Sequence, residues 1–111
     1  MSSPFFVSLS PEEASDRIFD EVVQGSFTGE CIGRYTLDAP NGTCCLVQVF
    51  EKHYARAGNR LTLTVTADNL TGQTRVCAVA GGGGEGFFRF DWGASESFAS
   101  IAEDALADFR L

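Results

Sequence analysis

The chain has 111 residues, 44% of them apolar and 21% charged, which is the size and composition of one soluble globular domain spanning 1–111. Eight Lys and Arg against fifteen Asp and Glu leave a net charge of −7. That balance opposes binding to nucleic acid and to anionic membranes. The first residues, Met1 to Val7, carry no basic region or long apolar run, and no stretch approaches the roughly 18 apolar residues of a membrane span, so a cytoplasmic location is expected.

Phe5, Val7 and Leu9 alternate with Phe6 and Ser8, the pattern of a short edge strand. Ser10-Pro11-Glu12-Glu13 then opens a helix: Ser10 suits the cap, Pro11 the first turn, and Glu13 completes a capping box. Ala14, Ile18 and Val22 recur at helical spacing, with Glu12, Asp16, Asp20 and Glu21 on the remaining face, and Gly25 is the predicted stop.

Residues 30–37 alternate loosely, and Asn41-Gly42 signals a turn. Thr43 to Tyr54 reads as a central strand because both parities are apolar: Cys45, Val47 and Val49 on one, Leu46, Phe50 and Tyr54 on the other. Leu61, Leu63, Val65 and Ala67 alternate strictly with Thr62, Thr64 and Thr66, predicting one buried face and one lined by threonine. A turn at 68–72 leads to a further strand over 74–80, and a glycine run, Gly81 to Gly84, separates it from a predicted aromatic strand over Phe87–Trp92. The last helix follows Gly93-Ala94-Ser95, with Ser95 or Ser97 as cap and Phe98, Ile101, Ala102, Ala105, Leu106 and Phe109 as its apolar stripe. The predicted fold is α+β, a two-layer sandwich of a four- to five-stranded antiparallel meander sheet with an N-terminal and a C-terminal helix packed on one face.

Four segments stand out as a set: the Val49-Phe50-Glu51-Lys52-His53-Tyr54 stretch, Asn59-Arg60-Leu61-Thr62-Leu63-Thr64-Val65, the run Gly81 to Gly84 with Glu85 and Gly86, and Phe90-Asp91-Trp92-Gly93-Ala94. Over roughly residues 45–100 the chain resembles a family of small uncharacterised bacterial proteins. The resemblance implies a stand-alone bacterial domain and carries over no activity and no catalytic residue.

The candidate chemistry is sparse. Gly81-x-Gly83-x-x-Gly86 matches the spacing of a dinucleotide fingerprint, but the strand-like Phe87-Phe88-Arg89-Phe90 follows where a helix is required. The glycines otherwise read as a strand connection or as a flap over a pocket, with Gly82, Gly83, Glu85, Arg89, Asp91 and Trp92 as candidate ligand contacts. Lys52, Arg56 and Arg60 form a small basic cluster that reads as solvated. His53 is the only histidine, and a Cys-His dyad with Cys45 or Cys77 requires a spatial adjacency that spacing does not show. The four cysteines, Cys31, Cys44, Cys45 and Cys77, read as reduced, compact apolar residues, with no zinc-type spacing and no cofactor implied. The leading expectation is a non-enzymatic domain that associates with itself or with another protein. A homodimer through the sheet face around Leu46, Phe50 and Tyr54 would bury the second apolar parity of the central strand. The alternative is a small-molecule-binding protein or small enzyme whose pocket is closed by the glycine loop 81–86.

Overall fold

The computed structural model describes residues 4–25, 29–54, 59–82 and 92–111; of residues 53, 54, 59, 82 and 92–97 only the backbone is described. In chain order the elements are strand β1 (Phe5–Val7), helix α1 (Pro11–Val23), strands β2 (Glu30–Asp38), β3 (Cys44–Tyr54), β4 (Asn59–Asp68) and β5 (Thr74–Gly82), helix α2 (Trp92–Ala105) and a 3₁₀ turn (Ala107–Phe109). The strands form one antiparallel sheet in the order β1-β5-β4-β3-β2. Strands β2 to β5 are the expected meander, and β1 returns to pair with β5. The middle strand is β4, with β3 between it and the β2 edge.

Helix α1 starts as its sequence dictates. Glu13 N donates to Ser10 Oγ at 3.1 Å and Ser10 N donates to Glu13 Oε1 at 3.0 Å, so two backbone donors at the helix start gain partners. Helix α2 begins earlier than expected, at Trp92, which places Trp92, Ser95 and Ser97 within it and not in a strand or at a cap. An N-cap residue must lie outside the helical backbone, so neither serine fills that role. The predicted strand over residues 87–91 lies outside the described residues.

Both helices pack on the same face of the sheet, α1 over β3 and β4 and α2 over β4 and β5. Because side chains alternate along a strand, register decides which residues they cover. Leu61, Leu63, Val65 and Ala67 of β4 sit between Leu46, Gln48 and Phe50 of β3 and Val76 and Ala78 of β5, all buried. Ile18 and Val22 of α1, Phe98 and Ala102 of α2, and Leu106 just after it close this core from above. Phe19 meets Phe50 at 6.2 Å between ring centroids. Arg34 of β2 pairs with Asp16 and lies over the Phe19 ring, clamping α1 to the edge strand.

Placing Leu46 and Phe50 in this core corrects the expected contact surface. The sequence pattern places them on the sheet face away from the helices, but Phe50 is 0% exposed and Leu46 4%. The reason lies in β3, where both parities are apolar and alternation alone does not say which one the helices cover. Tyr54 ends β3 opposite Asn59.

The turns that align the meander use glycine where the backbone demands it: Gly42 has φ 85° and Gly72 φ 94°, a region that L side chains rarely adopt. Asn69 joins the two turns, accepting from Cys44 N at 2.8 Å through Oδ1 and donating to Gly42 O at 3.3 Å through Nδ2. At the far edge β1 is closed by the C-terminal segment, through a bridge between Val7 and Arg110 and a bond from Leu111 N to Phe6 O at 2.9 Å.

Candidate functional site

The face of the sheet opposite the helices is the surface that these elements leave exposed. Its residues follow from register. One row runs Tyr35, Val47, Thr66 and Cys77, and the next runs Gly33, Val49, Thr64 and Val79, across β2, β3, β4 and β5. Among the described residues no helix packs here. Tyr35 is 55% exposed, Leu37 59%, Val79 49% and Phe6 36%, while Val47 and Val49 are half-buried by their neighbours alone. The three threonines run down the centre as predicted, and their methyl groups continue the apolar surface between the valines.

Ion pairs close this surface at both ends. Arg75 donates from Nε and Nη2 to Asp68 Oδ2, each at 3.3 Å, and Asp68 Oδ1 accepts from Leu70 N at 3.2 Å. At the other end Arg60 Nη1 lies 3.9 Å from Glu51 Oε1. Each pair is electrically neutral, and Glu30, exposed opposite Glu51 at the β2 edge, adds one negative charge to this face.

The protein's charge lies on the other layer. Helices α1 and α2 and the 3₁₀ turn carry nine of the fifteen acidic residues and one basic residue, Arg17, which leaves six acidic and seven basic residues for everything else. The net charge of −7 therefore belongs to the helical side.

The cysteines are all free and half-buried. Burial pushes the Cys45 thiol up; the Asp68 carboxylate adds to the effect and Arg75 opposes it. Burial, followed by Asp38, likewise pushes up Cys44. A raised thiol is a poor nucleophile at neutral pH. Nor does the fold assemble a Cys-His dyad: His53 is eight residues from Cys45 along β3, about 26 Å at 3.3 Å per residue. Cys77 pairs with Thr66 and His53 with Arg60, so these two are separated by six residues of β4, about 20 Å. Among the described residues no group of three or more His, Cys, Asp or Glu is placed to hold a metal ion.

The glycine-loop candidates divide. Gly81 and Gly82 are not loop but the end of β5, paired with Thr62 and Leu61, because the β4 ladder continues that far; Thr62 Oγ1 also donates to Gly81 O at 3.4 Å. Trp92 opens α2. Gly83, Glu85, Arg89 and Asp91 lie outside the described residues, as does Arg56 of the basic cluster. The other two members of that cluster do not converge, since Lys52 pairs with Leu61 on the helix-covered face and Arg60 belongs to the open one.

Sequence reasoning missed Phe6, Tyr35, Leu37 and Val79 as surface residues. Part of the signal was present: the threonines of β4 mark the open side, and counting out from the Asn41-Gly42 turn puts Tyr35 opposite Val47; the pairing of β3 with β4 then sets Val47 and Val49 beside the threonines.

No helix among the described residues is long and apolar enough to cross a membrane. No curated protein and no solved structure shows a significant match to the chain. One protein family does, and it is described as a "Family of unknown function (DUF6054)"; the match runs over residues 5–110. With nearly its whole length inside that match, the chain belongs to this family.

Proposed function

We propose that this domain is non-catalytic and works by self-association, with the open face of the sheet as its contact surface. One observation carries the reading: the face that the helices leave exposed is apolar over its middle, with few charged residues and those at its ends, on a molecule whose negative charge is concentrated in the helical layer. Contiguous exposed apolar surface of this kind marks interaction sites. Two copies meeting through it keep their acidic helices far apart, which removes the repulsion that a charge of −7 on each would otherwise impose.

Size sets the expected strength. Five strands at about 4.8 Å spacing and about seven residues at 3.3 Å each give a face on the order of 500 Å². Two faces bury on the order of 1,000 Å², the low end for a specific interface, so the dimer should be weak and reversible.

Sedimentation velocity tests this directly. The wild-type protein should shift from monomer to dimer as concentration rises to the order of 100 μM, where a micromolar affinity saturates. Val79→Lys places a charge beside the central strand on a side chain that is already 49% exposed, and should abolish the shift while leaving the melting temperature near wild type. A wild-type protein that stays monomeric throughout overturns the reading.

A further inference from the structure

We infer that Asn41 is a self-modifying site, where the turn between β2 and β3 converts the asparagine to aspartate and isoaspartate and so loosens the tie between the two turns at that end of the sheet. Asn41 and Gly42 are both exposed, and no atom lies within 4 Å of the point where a Cβ on Gly42 would stand. The Gly42 nitrogen is therefore open to water and to the side chain before it. It is held only by a 3.3 Å bond to Ala39 O, longer than an ordinary N–H···O bond. The Asn41 carboxamide is folded forward along the chain, with Oδ1 accepting from Thr43 N at 3.2 Å, which carries Cγ towards that nitrogen. The same Thr43 N–H sits on the oxygen that gains negative charge when Cγ is attacked, an arrangement that stabilises an oxyanion. The other asparagines lack these features. Arg60 and Leu70 follow Asn59 and Asn69, and the Asn69 carboxamide is held at both its oxygen and its nitrogen.

The reaction needs only water and hydroxide. Hydroxide takes the Gly42 N–H proton and the nitrogen bonds to Asn41 Cγ. The bond from Cγ to Nδ2 breaks, and the leaving group takes a proton from water and departs as ammonia, closing a five-membered succinimide. Water then opens the ring at either carbonyl. Cleaving the new bond to Cγ leaves aspartate on an unchanged backbone, whereas cleaving the old peptide bond leaves isoaspartate, with the main chain one methylene longer. In sum one water is taken up, one ammonia is released and one negative charge is added. The longer backbone is what reaches the rest of the fold. It displaces Gly42 O from Asn69 Nδ2, which donates to it at 3.3 Å, and so breaks one of the two side-chain bonds that couple this turn to the one between β4 and β5.

Ageing the folded wild-type protein in warm, mildly alkaline buffer tests this. Trypsin cuts after Arg34, Lys52, Arg56, Arg60 and Arg75, so Asn41, Asn59 and Asn69 fall in separate peptides. Mass spectrometry should find the gain of about one dalton on the Asn41 peptide on the order of tenfold more often than on the other two, because only Asn41 precedes a residue without a side chain. Chromatography of that peptide should resolve both isoaspartate and aspartate, and a parallel sample at neutral pH should lag behind, since hydroxide starts the reaction. The isoaspartate form should melt about 4 °C below fresh wild type, as expected for one lost hydrogen bond. Asn41→Asp, which carries the charge on an unaltered backbone, should melt with wild type. An Asn41 that stays unmodified, or that gains mass no faster than Asn59 and Asn69, overturns the proposal. So does an isoaspartate form that melts with Asn41→Asp, because the coupling through Asn69 is then not broken.

Discussion

Replacing Gln48 by methionine should stabilise the protein, although it removes a hydrogen bond. Gln48 is a polar residue in an apolar core, 0% exposed, on the row of β3 that lies beneath α1. Its Nε2 donates to Ser15 O at 2.9 Å, while its Oε1 and the nearby Ser15 Oγ are buried with no hydrogen-bond partner among the described residues. Methionine has almost the same length and volume. The substitution gives up one buried hydrogen bond, worth about 1 kcal/mol net, and relieves a buried carbonyl oxygen left unsatisfied at a cost of about 1–3 kcal/mol. Ser15 O keeps its place in the helical ladder. The balance is a gain of about 1 kcal/mol, and with an unfolding entropy of about 2.1 cal/mol/K per residue this raises the melting temperature by about 4 °C. Urea titration and thermal melts followed by circular dichroism measure both numbers. Ser15→Ala is an independent check, since it deletes the other orphaned group and introduces a better helix former, worth about 0.5 kcal/mol. A loss of 1 kcal/mol or more in Gln48→Met, by order of magnitude the worth of a satisfied buried amide, refutes the reasoning and means that a buried water joins Oε1 to Ser15 Oγ.

Three further outcomes are expected. Asn69→Ala cuts the side-chain bonds that tie the β2–β3 turn to the β4–β5 turn and should cost about 1–2 kcal/mol in urea titration, with secondary structure unchanged. Glu13 is held below the usual carboxylate range by the backbone N–H of Ser10 and then by its side chain, so its contribution to stability is present above pH 4.5 and is lost as pH falls through its lowered folded value. Melts from pH 7 to pH 2 should therefore show Glu13→Gln less stable than wild type at neutral pH and converging with it in acid. Cys44 and Cys45, with thiols pushed up by burial, should be alkylated by iodoacetamide at pH 7.5 more slowly than glutathione, as read by peptide mass spectrometry; faster labelling contradicts their placement.

Much of the scaffold was legible because local chemistry and tertiary packing agree. Ser10, Pro11 and Glu13 mark the start of α1 before any contact is known, and the strict alternation of leucine, valine and threonine in β4 names its buried side. Strand β3 is the counter-example. With Leu46 and Phe50 on one parity and Val47 and Val49 on the other, only pairing with β4 under the helices decides which side is core, and it buries the parity that the sequence pattern offers as contact surface. Gly81 and Gly82 misled for a related reason: glycine has low strand preference, yet the ladder to Thr62 and Leu61 holds both in β5. Trp92 belongs by its sequence pattern to the aromatic run that precedes it, while the chain is already helical there.

The closure of β1 by residues 109–111 has a consequence for how the chain reaches this state. Residues 5–7 pair on one side with β5 and on the other with residues 109–111, so the first strand stays half-unpaired until that segment is available. Strands β2 to β5 are joined by neighbouring turns and can assemble from contacts close in sequence, whereas sealing the β1 edge requires a loop of about a hundred residues to close. A meander that forms early and an edge that locks last make folding sequential. During synthesis the nascent sheet presents one raw edge until residues 109–111 have left the ribosome.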